Sequence, residues 1–172
     1  MSEFSIGLRK VGDNHPCFIV AEAGVNHNGD IKLAKKLIDV AAEAGVDAVK
    51  FQVLTADGLY IKNAGEATTD TGMKVDAYGI WKGVEMSSSW IPELSSYCKR
   101  KGVVFFASVF EEKGVEQLEP YVSLYKIASS ELTHIPLLKK VAKTNKPIIV
   151  SVGSAVFDEV IEAVKTIRAL QQ

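Results

Sequence analysis

Cysteine, histidine and charge imbalance are all scarce in this chain of 172 residues. Twenty Lys+Arg against 21 Asp+Glu leave a net charge of −1. That excludes a broad basic nucleic-acid surface while leaving room for a small anion pocket. No apolar run approaches the ~20 residues of a membrane span. Residues 1–13 are polar and mixed in charge and do not read as a signal peptide. The two cysteines, Cys17 and Cys98, fall in apolar segments and read as free buried thiols of a cytoplasmic protein. No Cys/His cluster has zinc-ligand spacing, so no metal ligands are assigned. There is no P-loop and no G-x-G-x-x-G.

What is present is an ordinary globular balance, 47% hydrophobic and 24% charged. Short apolar runs alternate with longer amphipathic ones. Strands are expected at 17–21, 48–53, 103–107, 124–128 and 147–150. Between them the spacing predicts helices. Asp30 caps the first, whose apolar positions are Ile31, Ala34, Leu37, Ile38, Ala41 and Ala42, and Gly45 stops it. Ser88 or Ser89 opens the next, and helices follow near 112–118, 136–142 and 157–170. Strict alternation calls for parallel strands joined by right-handed crossovers. Two architectures fit: a five-stranded doubly wound parallel sheet, or the first five units of an eight-unit barrel of the TIM type. A closed barrel takes about 250 residues, so a barrel here would be incomplete. The whole chain reads as one domain. Within it, 1–14 is expected to form a hairpin closing the barrel bottom. Residues 54–87 are expected to form a long loop on the substrate side, rich in Gly, Thr, Asp and Lys, packing down near Tyr78, Ile80 and Trp81 as a short helix.

In both architectures ligands bind at the carboxyl ends of the strands. Strand one ends in Glu22, and strand two carries Lys50 and Gln52, two apart and so on one face. Strand three ends in Ser108, strand four carries Lys126 followed by Ser129, Ser130 and Glu131, and strand five ends in Ser151 and Gly153. A lone strand lysine is as often an edge residue, and a lone glutamate more often its neutralising partner. Five runs ending alike in polar groups point instead to one convergent site. Two lysines and several hydroxyls near helix mouths, with Ser154 opening the last, suit a small polyanion such as a phosphate ester. Glu22 is then the acid/base candidate, kept ionised by the cations. In the first strand–helix loop, Gly29 and Asp30 are explained by a turn and a cap. Asn26 and His27 are not, and are candidates to line the pocket. His15 reads as a surface residue and His134 as structural.

Three segments carry a resemblance. Val20-Ala21-Glu22-Ala23-Gly24-Val25-Asn26-His27-Asn28-Gly29-Asp30, Asp47-Ala48-Val49-Lys50-Phe51-Gln52 and Tyr125-Lys126-Ile127-Ala128-Ser129-Ser130-Glu131 are similar to the sialic acid synthase family, the N-acetylneuraminate, pseudaminic and legionaminic acid synthases. The resemblance implies an eight-unit barrel followed by an antifreeze-like domain, of which only the first part of the barrel is expected in these 172 residues. It implies condensation of phosphoenolpyruvate with an N-acetylated amino sugar, releasing phosphate. Lys50, Ser108, Lys126 and Ser129 would hold phosphoenolpyruvate, with Ser151 nearby, and Gln52 would touch the sugar. Glu22 would orient or deprotonate the water, held by a divalent ion (Mn or Mg), that adds at the oxocarbenium-like centre. Two departures stand out. Ala107-Ser108-Val109-Phe110 replaces the family's Ser-Thr-Pro-Phe, and Ser151-Val152-Gly153-Ser154 replaces Ser-Thr-Gly-Met. The family's metal-binding histidines come from later strands than any here, so the chain alone is expected to be inactive or nearly so. Open barrel edges would favour a homodimer or other self-association. Read without the resemblance, a strand lysine beside a glutamate also fits a class I, Schiff-base aldolase, and the cations alone fit a non-catalytic phosphate-ester binding module.

Overall fold

A computed structural model describes residues 3–63, 65–68, 71–153 and 155–171. Ser154, expected at the mouth of the last helix, lies outside the described residues. The centre is a five-stranded parallel sheet of β3 (Val20–Gly24), β4 (Ala48–Val53), β7 (Val104–Val109), β8 (Tyr125–Ile127) and β9 (Ile148–Val150), in that spatial order. Helices α1 (Ile31–Glu43), α4 (Trp90–Lys101), α5 (Glu112–Leu118), α6 (Ile135–Ala142) and α7 (Phe157–Arg168) make the connections.

The strand order decides between the two architectures. A doubly wound sheet needs a reversal of order so that its helices fall on both faces. Here each strand lies beside its predecessor. Right-handed crossovers then place every helix on one face. α1 packs on α4, and α6 packs on both α5 and α7. The chain is the barrel alternative, five consecutive strand–helix units of it.

Alternation within the strands divides the residues. Val49, Phe51, Val53, Phe105, Ala107, Val109, Tyr125 and Ile127 are buried. They point toward the helices, as the Tyr125 hydroxyl shows by donating to the Val115 carbonyl of α5 at 2.9 Å. Glu22, Lys50, Gln52, Ser108 and Lys126 alternate with them and share the opposite face. Helix ends follow local chemistry. The Asp30 carboxylate accepts the Lys32 N–H at 2.8 Å. α4 stops at Gly102, whose φ of +76° suits a residue without a Cβ.

Several boundaries differ from expectation. The first strand starts at Val20 rather than 17, and Cys17 is exposed; only Cys98 is a buried thiol. β3 is an edge strand, and 17–19 run up to it without a ladder partner on the outer side; Ile19 instead donates its N–H to the Asp47 carboxylate at 2.8 Å. β3 also continues past Glu22, and β7 past Ser108, so neither residue ends its strand. The pairings Gln52↔Ser108 and Val53↔Val109 extend the β7 ladder.

At the strands' amino ends, β1 (Phe4–Ile6) and β2 (Arg9–Val11) form an antiparallel hairpin. Arg9 bridges to Asp47 at 2.9 Å, and Ile6 is buried in the core. Residues 54–87 hold more structure than a loop: α2 (Ala56–Leu59), the paired β5 (Glu66–Thr68) and β6 (Lys74–Asp76), and α3 (Ala77–Gly83), the short helix that Tyr78, Ile80 and Trp81 indicated.

Candidate active site

The ladder registers gather the polar strand residues. Glu22 of β3 pairs in register with Lys50 of β4, and Gln52, Ser108 and Lys126 lie in one row across β4, β7 and β8. Ser151 stands just past β9, two residues beyond Ile149, the register partner of Lys126. Side chains then close the gaps between strands. The Lys50 ammonium forms an ion pair with the Glu22 carboxylate and donates to Ser108 Oγ at 3.4 Å. The Lys126 ammonium donates to Ser151 Oγ at 2.5 Å and to the Ile127 carbonyl at 2.6 Å. Five residues from five neighbouring strands or strand ends thus meet on one face. The Lys50 side chain is 13% exposed and that of Glu22 51%, so the carboxylate can leave its lysine for a ligand and the amine is already seated.

The electrostatics follow from that crowding. Burial holds the Lys126 amine below the ordinary lysine value, the Lys50 charge pushes it further down, and Glu22 partly opposes both. Two ammonium groups against one carboxylate, which is paired with Lys50, leave a net positive cleft. An anion is what this arrangement attracts.

The glycine after the bulge makes room for the acid. Gly24 has φ +55°, and a Cβ there would lie 3.2 Å from Glu22 Oε1 and 3.8 Å from Asn26 Nδ2. From sequence Gly24 is only a strand boundary; the positive φ and the close carboxylate are tertiary facts. Ser129 opens a 3₁₀ turn (Ser129–Glu131) beside Gly153, where a Cβ would lie 3.7 Å from that of Ser129. Asn26, in the loop after β3, turns its amide back at 3.0 Å to the carbonyl of Ala23, which is next to Glu22 in the chain. The rim also contains residues the sequence did not single out. Thr55 donates to Glu111 at 2.9 Å, and Glu85 accepts the Ala56 N–H at 2.7 Å. Two carboxylates thereby tether the start of the 54–87 segment to the third strand–helix loop and to its own end. Only side-chain polarity next to a strand end could have hinted at them.

His27 is placed elsewhere. It is fully buried, with its ring 5.6 Å from Trp90 at a near-perpendicular angle and 6.3 Å from Phe51. Phe51 faces the helices, so His27 lies on that side of the sheet and not with Lys50 and Lys126. Its Nδ1 accepts the Gly29 N–H at 3.2 Å, and Nε2 has no partner among the described residues. Burial holds the ring below its ordinary value of 6.5. The unfolded chain regains that ordinary value, so on acidification it takes up a proton before the folded chain does. Stability is therefore full above about pH 6.5 and falls as pH drops through the folded value. Urea unfolding of wild type and His27→Phe at pH 7.5 and 5.0 checks this: the variant is expected to lose less stability on acidification, and equal losses would exclude the histidine as a source.

Among the described residues, no group of three or more His, Cys, Asp or Glu side chains could hold a metal ion. The one carboxylate of the cleft is already matched to an ammonium, a donor set that fits an anion and not a divalent cation. A cavity of about 630 Å³ lies at the opposite end, lined by the hairpin residues Gly7, Leu8 and Arg9 and by Val104 and Tyr121. Its Arg9–Asp47 pair is self-neutralising. Chemistry and strand polarity both favour the lysine cleft.

A parallel α/β barrel segment with an anion cleft at the carboxyl ends of its strands defines the class. Comparison with known proteins gives the family. The NeuB family profile matches residues 37–172, and the chain belongs to that family. It is 45% identical over 170 residues to the spore coat polysaccharide biosynthesis protein SpsE of Bacillus subtilis, covering 98% of this chain and 46% of that protein. It is 37% identical over 166 residues to the N,N'-diacetyllegionaminic acid synthase of Legionella pneumophila, covering 94% and 47%. The crystal structure of the N-acetylneuraminic acid (sialic acid) synthetase of Leptospira borgpetersenii superimposes with a TM-score of 0.88 at 31% identity, over 99% of this chain and 56% of that one. The chain spans about half the length of these relatives. Among the described residues no helix is long and apolar enough to cross a membrane.

Proposed function

We propose that this chain supplies the phosphoenolpyruvate-binding half of a synthase that condenses phosphoenolpyruvate with an N-acetylated amino sugar to give a nonulosonic acid and phosphate. The observation that carries the reading is the meeting of Lys50, Lys126 and Glu22, with Ser108 and Ser151, in one cleft. Phosphoenolpyruvate brings a phosphate and a carboxylate, and two ammonium groups match them as point charges. Ser108, Ser151 and Ser129 add hydroxyl donors. As C3 of the enol attacks the sugar aldehyde, positive charge develops at C2 and water adds there. Glu22, half exposed beside the cations, is the group placed to take that water's proton. Gln52, in the row with Ser108 and Lys126, is an amide suited to the sugar's polar groups. A divalent ion would supply polarisation of the aldehyde. Its ligands are not assembled among the described residues, so the role of these side chains is to bind, orient and move protons.

The test is calorimetric titration of the chain with phosphoenolpyruvate, beside mass spectrometry of mixtures with N-acetylmannosamine and Mn²⁺. Binding without turnover is expected. Absence of binding would overturn the reading, and robust formation of a nonulosonic acid would overturn the half-site assignment. Glu22→Gln refines it. Removing the negative charge beside Lys50 is expected to leave phosphoenolpyruvate binding intact or tighten it by about threefold to tenfold, the scale of one screened charge pair. Weaker binding in this variant would mean that the acid, not the lysines, organises the site.

A further inference from the structure

The two amines of the cleft are not equivalent. Lys50 is engaged by the Glu22 carboxylate and by Ser108. Lys126 has no carboxylate within 4.0 Å of its amine among the described residues; its acceptors, Ser151 Oγ and the Ile127 carbonyl, are neutral. It sits on a central strand, β8, between β7 and β9, so its backbone is held on both sides. The neighbouring Lys50 charge and partial burial both ease loss of its proton, against a weaker pull from Glu22. A strand-borne lysine beside a second cation, with a hydroxyl in contact, has the surroundings that turn an ammonium into a nucleophile.

We propose that Lys126 captures small α-keto acids as a reversible imine, with Lys50 gripping the keto acid's carboxylate. The ammonium first releases one proton to solvent. The Nζ lone pair adds to the keto carbon, the C=O π bond opens, and a proton passes from nitrogen to the new oxygen, with the Ser151 hydroxyl placed as the relay. The carbinolamine oxygen takes a second proton and leaves as water as the nitrogen lone pair forms the C=N bond. The nitrogen keeps its remaining hydrogen, so the species formed is the iminium, beside the bound carboxylate, and loss of that proton gives the neutral imine. No oxidant or reductant is involved. The inference rests on the reading of the cleft as the phosphoenolpyruvate site and goes beyond it, since the condensation itself needs no covalent bond to the protein. The product of that condensation is also a 2-keto acid in its open form. The same capture would hold product in the cleft and exclude the next phosphoenolpyruvate.

The experiment incubates the full chain with pyruvate and sodium cyanoborohydride and maps the reduced adduct by peptide mass spectrometry. One adduct is expected, on Lys126, suppressed by excess phosphoenolpyruvate and lost in Lys126→Arg; mapping the wild-type chain makes the result independent of how the variant folds. Lys50→Gln should lower the yield by removing the carboxylate anchor. No adduct, an adduct on Lys50, or labelling spread evenly over surface lysines would overturn the proposal. Phosphoenolpyruvate titration of the same preparation separates the two ideas. Binding without trapping removes the imine and leaves the cleft assignment standing; trapping without binding does the reverse.

Discussion

Lys50→Met is expected to weaken phosphoenolpyruvate binding about a hundredfold. Truncating one member of a buried hydrogen-bonded charge pair costs about 2–5 kcal/mol, the half-exposed Glu22 puts this pair at the lower end, and each 1.4 kcal/mol is about tenfold in affinity. Three effects add in the same direction. The ligand loses a point charge. Glu22 loses its cation and stands as a bare carboxylate toward an incoming anion. Ser108 loses the amine that donates to it at 3.4 Å. The Lys126 amine should meanwhile recover part of its ordinary basicity, because the Lys50 charge that depresses it is gone. That partial compensation places the expected hundredfold loss, about 2.8 kcal/mol, toward the lower end of that range. Arginine at the same position should restore binding only in part, since a planar fork cannot occupy the space of a compact ammonium between Glu22 and Ser108. Calorimetric titration reads the affinity, and thermal unfolding shows whether the fold survives. An unchanged affinity in a folded variant would remove Lys50 from the site.

Phe51→Ala, one residue along the same strand, is expected to act on stability instead, costing about 3–5 kcal/mol. Phe51 is fully buried on the helix-facing side, with Phe105 at 5.9 Å and His27 at 6.3 Å between ring centres. Truncation leaves a cavity next to an imidazole whose Nε2 already lacks a partner among the described residues. A typical domain is stable by only about 5–15 kcal/mol, so the variant should populate unfolded chain readily. Gln52→Ala, the next residue, faces the cleft and is half-buried. Its cost should stay near the small scale of substitutions outside the core. Urea unfolding of the two variants side by side tests the assignment of faces. Equal losses would mean that β4 does not divide its residues between core and cleft as described.

How much of this was legible beforehand varies by residue. Lys50 and Gln52, two apart in an apolar run, already shared a face, and period-two alternation is a local property of a strand. Lys126 stood within the fourth run and Ser151 at the end of the fifth, but nothing local said that the amine of one would reach the hydroxyl of the other. That contact depends on the β8–β9 register. His27 shows the opposite case. Its loop composition was compatible with a pocket, and only the packing of Trp90 and Phe51 places the ring on the helix side. Cys17 looked buried because its neighbours are apolar, yet the ladder with β4 begins only at Val20, which leaves 17–19 outside the strand. Glu111 and Thr55, far apart in the chain, carried no signal of their contact.

The amino-acid order alone determined the alternation of strands and helices, the capping of α1 by Asp30, and the set of polar residues at one end of the strands. These are consequences of side-chain periodicity and backbone chemistry over a few residues. The choice of barrel over doubly wound sheet, the pairing of Glu22 with Lys50, the separate seat of Lys126 and the removal of His27 from the cleft belong to the tertiary structure. Strand order, register and the face on which helices settle are set by contacts between segments dozens of residues apart, and no short window of sequence contains them.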